Sequence, residues 1–257
     1  VDPEVGRLAG GDVGAGRLAE PAHIVEAAAR VMARDGDLTG LRLVVTAGGT
    51  REPIDPVRYI GNRSSGKMGY AIANAAAARG ADVVVVATVA REVHPRVRLE
   101  RVETAQEMAD TTLALSGSAD VVVMAAAVAD FRPKSPAGAK IKKSDGVPEI
   151  VLEPTPDILR LLGERRRPDQ VLVGFAAETD DLRANAAAKL ATKRVDFVVG
   201  NDVRSEDSGF EVDTNRAVIL DAQGAVEDLG LVTKVALADR LLDRVRDALA
   251  SPQRSPQ

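Results

Sequence analysis

"IGNRSSGKMGYAIANAAAARGADVVVVAT" (Ile60–Thr88) holds in one run a glycine loop, an Ala-rich segment of helical texture and a short, continuous apolar stretch. Gly61, Gly66 and Lys67 follow the P-loop pattern G-x-x-x-x-G-K-[ST] up to its last position, where Met68 stands in place of the hydroxyl that ligates Mg²⁺. Position argues against a Walker loop as well. Such a loop follows its strand directly, whereas "TREPIDPVRYIGN" (Thr50–Asn62) intervenes between the preceding apolar run and the glycines. What survives is physical: ahead of a long helix, the amides of Ser64, Ser65 and Gly66 can converge at a positive helix end, which binds anions without a Walker motif. The alternative for this stretch alone is a plain Ser-capped helix start.

On either side of this stretch and within it, "LRLVVTAGG", "ADVVVVAT", "ADVVVMAAA", "QVLVGFAAE" and "VDFVVGND" are short apolar runs, the mark of strands buried on both faces. Between and after them lie helical segments: "GKMGYAIANAAAARG", "TAQEMADTTLALSG", "PDILRLLGERR", "DDLRANAAAKLATKR" and "TKVALADRLLDRVRDALA". The alternation predicts an α/β fold with a Rossmann-like, doubly wound, mostly parallel sheet, whose ligands sit outside the carboxyl ends of the strands. Two stretches break it. "RPKSPAGAKIKKSDGVPEIVLEPTP" (Arg132–Pro156) is basic and punctuated by Pro and Gly, a flap insertion or short hairpin. "GFEVDTNRAVILDAQGAVEDLG" alternates around Gln-Gly and predicts a C-terminal β-hairpin. Residues 1–40 are glycine-rich and then helical at "EPAHIVEAAARVMA", an appendage; the tail 251–257 is expected to be disordered.

Thirty-four Lys and Arg stand against 38 Asp and Glu, a formal charge of -4, which favours neither nucleic acid nor an anionic membrane and points to a small-molecule partner. The absence of cysteine removes thiolate metal sites and a Cys nucleophile and fits a reducing, cytoplasmic compartment. No 18-residue apolar run or basic leader followed by one occurs, so neither export nor membrane spanning is expected. With His23 and His94 the only histidines, Lys, Asp, Asn and backbone amides must supply most of the chemistry.

Candidate residues cluster just after the strands. Asp130 follows "AAAVA" where a Mg²⁺-nucleotide could be met. Lys140 opens "KIKK" on the flap, and Asp157 sits in the first turn of the next helix. Glu178 ends "GFAAE", Lys189 and Lys193 lie one helical turn apart, and Asn201 and Asp202 follow the fifth run. Each alone reads as a cap, a turn or a wet face; all fall at one edge of the predicted sheet.

Taken together, "TAGGTREPIDPVRYIGNRSSGKMG", "AAAVADFRP", "KIKK" followed by "TPDI", "GFAAET" and "VVGND" resemble, in order and spacing, the phosphopantothenate–cysteine ligase domain of coenzyme A biosynthesis, over about Leu41 to Leu249. The start, "GRLAGGDVGAGRLAEPAHIV", is similar to the tail of the flavin-dependent decarboxylase that usually precedes this domain in bacteria. Gly10 in "LAGGD" stands where many members carry a catalytic Cys, and the resemblance implies a truncated chain without flavin or decarboxylation. It implies three parts: a decarboxylase remnant with linker helix (1–40), the ligase domain (41–250) and the tail.

In that family the carboxylate of 4'-phosphopantothenate attacks the α-phosphate of CTP, releasing pyrophosphate, and the amine of L-cysteine then displaces CMP from the acyl-cytidylate. The resemblance implies Mg²⁺, a homodimer, and Asn62 and Lys140 as catalytic residues. It places Ser64, Ser65, Gly66, Ala127, Asp130, Phe131, Lys140, Asp157, Phe175, Lys189 and Lys193 at the nucleotide. Arg58, Asn62, Ala126 and Ala127 fall at the substrate, and Asp130 at the cation. Thr155 departs from the Asn that many members carry before Pro-Asp-Ile. An NAD(P)-dependent oxidoreductase fits the alternation equally, but "TAGGT" is not G-x-G-x-x-G, and neither Tyr59 nor Tyr70 has Lys four residues on. A non-catalytic dimeric nucleotide-binding module is the rival from another class.

Overall fold

The computed structural model describes residues 4–7, 13–17, 19, 21, 24, 25, 28, 36–178, 182–202 and 212–251. The expected N-terminal helix lies largely outside the described residues, and the expected disordered tail lies outside them beyond Ser251. Strands β1 (Glu4–Arg7) and β2 (Val13–Arg17) pair antiparallel.

The five apolar runs become β3 (Arg42–Ala47), β6 (Asp82–Ala87), β8 (Val121–Met124), β11 (Val171–Glu178) and β12 (Phe197–Asp202). They belong to one eight-stranded sheet, in which β7 (Val97–Arg101), β13 (Thr214–Asp221) and β14 (Val226–Thr233) complete the order β14-β13-β12-β11-β8-β3-β6-β7. From β12 to β7 every pairing is parallel; β13 and β14 add antiparallel. The predicted hairpin is therefore the edge of the main sheet, with Gly224 taking a left-handed φ of 87° in its turn. The chain order reverses between β3 and β8, which opens a crevice there.

Helices cover both faces. Helices α1 (Lys67–Ala78) and α5 (Lys234–Ala250) share one core with β3 through Ile72, Ala73, Leu237 and Leu241. The other face holds α2 (Ala105–Ser116), α3 (Ile158–Arg165) and α4 (Leu182–Lys193) around Met108, Leu162, Leu172 and Leu190. Small residues let α1 approach: a Cβ on Gly69 would lie 2.6 Å from the Thr46 carbonyl. Thr104 and Glu107 close a capping box on α2.

The edge strand β7 goes unnoticed in the sequence because its half-exposed "VRLER" carries no continuous apolar run. The intervening "TREPIDPVRYIGN" contains a small antiparallel hairpin of β4 (Arg51–Pro53) and β5 (Tyr59–Gly61). Buried Glu52 on β4 accepts a 2.8 Å hydrogen bond from the Ala105 amide, tying this hairpin to the start of α2. The flap departs through β9 (Phe131–Pro133) and returns through β10 (Leu152–Pro154), which pair antiparallel as expected of a short hairpin.

Candidate functional site

A cavity of about 820 Å³ opens at the carboxyl edge of the sheet, beside the β3/β8 reversal. Its floor is the segment after β8. Thr50 Oγ1 accepts from the Ala129 amide at 2.9 Å, Thr46 Oγ1 from the Ala126 amide at 3.1 Å, and Ala127 exchanges backbone bonds with Gly48 and Thr50. Small side chains and a backbone tied at almost every residue make a rigid surface that a ligand can approach closely.

One wall is the start of α1. The Ser-capped alternative does not describe it: the N-cap is Gly66, at φ 75°, and no side chain caps the helix. Ser64 Oγ accepts instead from the Gly66 amide at 3.4 Å, and Arg91 holds the loop through a 2.7 Å bond to the Ser65 carbonyl. Ser64, Ser65, Gly66, Lys67 and Met68 line the cavity, so a helix N-terminus with its partial positive charge faces the space.

The opposite wall comes from α3 and α4. Asp157 is the N-cap of α3, accepting from the Arg160 amide at 3.1 Å, and its second oxygen pairs with Lys193. Burial works against this carboxylate, but Lys193 and the Arg160 amide outweigh it and hold the pKa below the usual range. Lys189 donates to the Phe175 carbonyl within β11. Asn62 sits between the walls, its Nδ2 donating to the Val128 carbonyl at 2.9 Å. Thr155, the departure from the family pattern, donates its hydroxyl to the Ala129 carbonyl at 2.5 Å and its amide to the Asp130 carbonyl at 3.0 Å, closing the rim.

The cavity therefore gathers twelve of the fourteen residues that the resemblance assigns, Asn62, Ser64, Ser65, Gly66, Ala126, Ala127, Asp130, Phe131, Asp157, Phe175, Lys189 and Lys193, and also Asn201 from the end of the fifth run. It does not gather Arg58 or Lys140. Arg58 pairs with the buried carboxylate of Asp55 and donates to the Ile141 carbonyl at 2.8 Å, while Asp55 accepts from the Ile141 amide at 3.2 Å. The Arg58 guanidinium, helped by backbone amides, holds the Asp55 carboxyl far below the carboxylate range against the cost of burial. Arg58 thus fastens the flap to the turn between β4 and β5, and Lys140, next to that anchor, is exposed. Side-chain contacts of Glu178 and Asp202 lie outside the described residues.

Among the described residues no group of three or more His, Cys, Asp or Glu side chains converges. Asp130, an exposed carboxylate at the cavity, matches a cation that arrives on a polyphosphate, since Mg²⁺ takes one or two carboxylates together with phosphate oxygens. Sequence reasoning gave no role to Asn215 and Lys234, which also line the cavity, and left Lys67 with the rejected Walker pattern although it lines the cavity too. Asn215 and Lys234 belong to the late hairpin and the final helix, and only tertiary folding carries them to the start of α1.

The family model described as the DNA/pantothenate metabolism flavoprotein C-terminal domain matches residues 38–249. The chain is 46% identical over 266 residues to the coenzyme A biosynthesis bifunctional protein CoaBC of Mycobacterium tuberculosis (strain ATCC 25618 / H37Rv), covering 97% of this chain and 63% of that one. To the protein of the same name in Bacillus subtilis (strain 168) it is 41% identical over 249 residues, covering 95% and 61%. It thus spans less than two thirds of the length of these curated relatives. A crystal structure of the C-terminal domain of a coenzyme A biosynthesis bifunctional protein CoaBC superimposes with a TM-score of 0.71 at 39% identity, covering 83% of this chain and 98% of that one.

Proposed function

The chain belongs to the DNA/pantothenate metabolism flavoprotein C-terminal domain family, and from that premise we propose that it ligates 4'-phosphopantothenate and L-cysteine, using CTP through an acyl-cytidylate. The observation that carries the reading is the cavity itself: a helix N-terminus without a side-chain cap faces two lysines across a floor of small residues, a shape for a nucleotide laid between two cationic walls.

The reaction must bring a carboxylate against a triphosphate, so the protein's first task is to offset repulsion. The start of α1 offers backbone N–H donors and the positive end of a dipole to the phosphates, and Lys189 and Lys193 add positive charge at the other wall. Asn62 lines the cavity with its Nδ2 spent on the Val128 carbonyl, which leaves Oδ1 as an acceptor suited to orienting the incoming amine. The flap is fastened at Ile141 by Asp55 and Arg58, and a rearrangement of that anchor would carry Lys140 toward the reacting groups and keep water from the mixed anhydride. Asp130 would hold Mg²⁺ together with phosphate oxygens, the ion supplying charge neutralisation.

The test is pyrophosphate release with phosphopantothenate and each nucleotide, with and without cysteine. We expect release with CTP, dependent on Mg²⁺, and CMP formation only when cysteine is added. Equal turnover with ATP would sink the choice of nucleotide and leave the ligase reading standing; no release with any nucleotide would sink the ligase.

The same reading makes residues 1–40 the end of a preceding decarboxylase domain, with the ligase domain spanning 41–250, in a cytoplasmic protein. No described helix is long and apolar enough to cross a membrane. It also makes the chain a homodimer. Val57, Tyr59, Phe131, Val151 and Leu152 are 61%, 54%, 53%, 60% and 45% exposed on the β4–β5 hairpin and the flap, which meet through β4 and β9. Such apolar exposure on two adjoining excursions is suited to a two-fold interface. A dimeric mass is expected at micromolar concentration, and a fully active monomer would overturn it.

A further inference from the structure

Two polar side chains in the cavity wall are almost completely buried: Asn215 is 2% exposed and Lys234 is 5% exposed. A buried ammonium is costly unless its donors are used. Lys234, the first residue of α5, donates to the Val212 carbonyl at 2.6 Å, the Thr214 carbonyl at 3.1 Å and Asn215 Oδ1 at 2.9 Å. The last of these fixes the Asn215 amide. With Oδ1 committed, its Nδ2 is aimed at the first turn of α1, where it meets Met68 Sδ at 3.6 Å. A thioether is a poor acceptor, so a rigid donor faces the cavity with little to satisfy it.

Beside it Lys67, the first residue of α1, pairs with Asp213 at 2.7 Å, and the Asp213 side chain is 86% exposed. So wet an ion pair is worth little and can be exchanged for a better anion. A left-handed Gly66, a helix start without a side-chain cap, a positioned amide donor and two ammonium groups thus converge on one corner, across the cavity from Lys189 and Lys193.

We propose that Lys67, Asn215 and Lys234 form a subsite for the two terminal phosphates of the nucleotide, and that it holds the pyrophosphate they become. This rests on the nucleotidyl-transfer reading. In that step a carboxylate oxygen forms a bond to the α-phosphorus, the bond from the α-phosphorus to the bridging oxygen breaks, and its electron pair leaves with pyrophosphate. Negative charge therefore grows on the leaving group, and fixed donors already aimed at it stabilise that change. Lys67 and the Nδ2 of Asn215 make the contact. Lys234 is the positioning residue, locking the amide and adding its charge.

Burial and the like charge of Lys67 push the Lys234 ammonium down to about 8, with Asp213 opposing them; Arg91 also faces Asp213. The cation is present at pH 7 and is lost as pH rises through about 8, so anion affinity at this corner should fall over that range.

The experiment is calorimetric titration of the chain with inorganic pyrophosphate, CTP and CMP separately, with melting temperatures to confirm folding. Asn215→Asp keeps the size and the acceptor for Lys234 but turns the donor into an anion. It should weaken pyrophosphate and CTP by about 10- to 100-fold, the worth of a hydrogen bond to a charged group, and leave CMP within about twofold. Lys67→Gln should act in the same direction, by about three- to tenfold. Lys234→Arg keeps the charge above pH 8, so the loss of pyrophosphate affinity between pH 7 and 9 expected of the unaltered chain should flatten. Loss of CMP affinity equal to that of pyrophosphate, or unchanged pyrophosphate binding in both the Asn215 and Lys67 variants, overturns the subsite. So does a chain that fails to bind millimolar pyrophosphate. Binding of pyrophosphate but of no cytidine nucleotide would sink the choice of CTP and leave the subsite standing.

Discussion

Asn62→Asp is expected to form acyl-cytidylate and pass it to cysteine about 10² to 10³ times more slowly, while Lys140→Gln is expected to form little of it, a loss of similar size corresponding to about 3 to 4 kcal/mol. The two substitutions separate the half-reactions because the side chains face different charges. Asn62 Nδ2 is spent on the Val128 carbonyl, so what it offers the amine is Oδ1. Aspartate would set an oxygen against that carbonyl and an anion beside an anionic intermediate, disturbing amine placement most. Lys140 is exposed on the flap, one residue before the anchored Ile141, and closure of that flap would bring its charge to the meeting of carboxylate and α-phosphate. Removing the charge at similar length should therefore slow nucleotidyl transfer itself. Mass spectrometry of each variant with phosphopantothenate and CTP, without cysteine, reads the division. Accumulation of intermediate by the Lys140 variant, or its absence from an Asn62 variant that still binds CTP, would reverse the assigned roles.

Gly49→Ala should cost at least about 10² in kcat/KM, although it adds one methyl group and touches no charge. A Cβ there would lie 2.2 Å from the Asn62 backbone carbonyl, so one of the two segments must move by about an ångström. Gly49 also bridges Ala127 beyond the ends of β3 and β8, and the shift would reach the cavity floor as well. Destabilisation of about 1 to 3 kcal/mol should accompany it, as for other overpacked interiors. Gly138→Ala is the control: nothing lies within 4 Å of its Cβ position, and activity should be retained. An active Gly49→Ala protein would show that this close approach does not position Asn62.

The strands were readable because both of their faces are buried. Val121 to Met124 are all buried in β8, and a strand covered on both sides can carry an unbroken apolar run, which no exposed segment tolerates. The helices were readable from Ala-rich or 3.6-residue texture, and Asp157 marked the start of one of them. Because ligands of such sheets collect beyond the strand ends, Asp130, Phe175 and the loop before α1 could be assigned to one edge without any contact being known. Strand β7 and the β4–β5 hairpin stayed hidden, being short, polar or broken by proline, and held by their neighbours more than by their own pattern.

By itself, then, the sequence determined the class of fold, the order of its main elements and the edge of the sheet where the cavity opens, because burial periodicity and turn residues are local properties. Tertiary structure alone decided what each polar group does there. Arg58 became the fastener of the flap because Asp55 and Ile141 lie within its reach, and Ser64 left the helix uncapped because Gly66 took the cap position. Asn215 and Lys234, far along the chain from Ser65, reached the cavity-facing end of α1 because β13 and α5 pack back against it. Contacts across such separations depend on which surfaces the folded sheet brings together, and no local pattern encodes them.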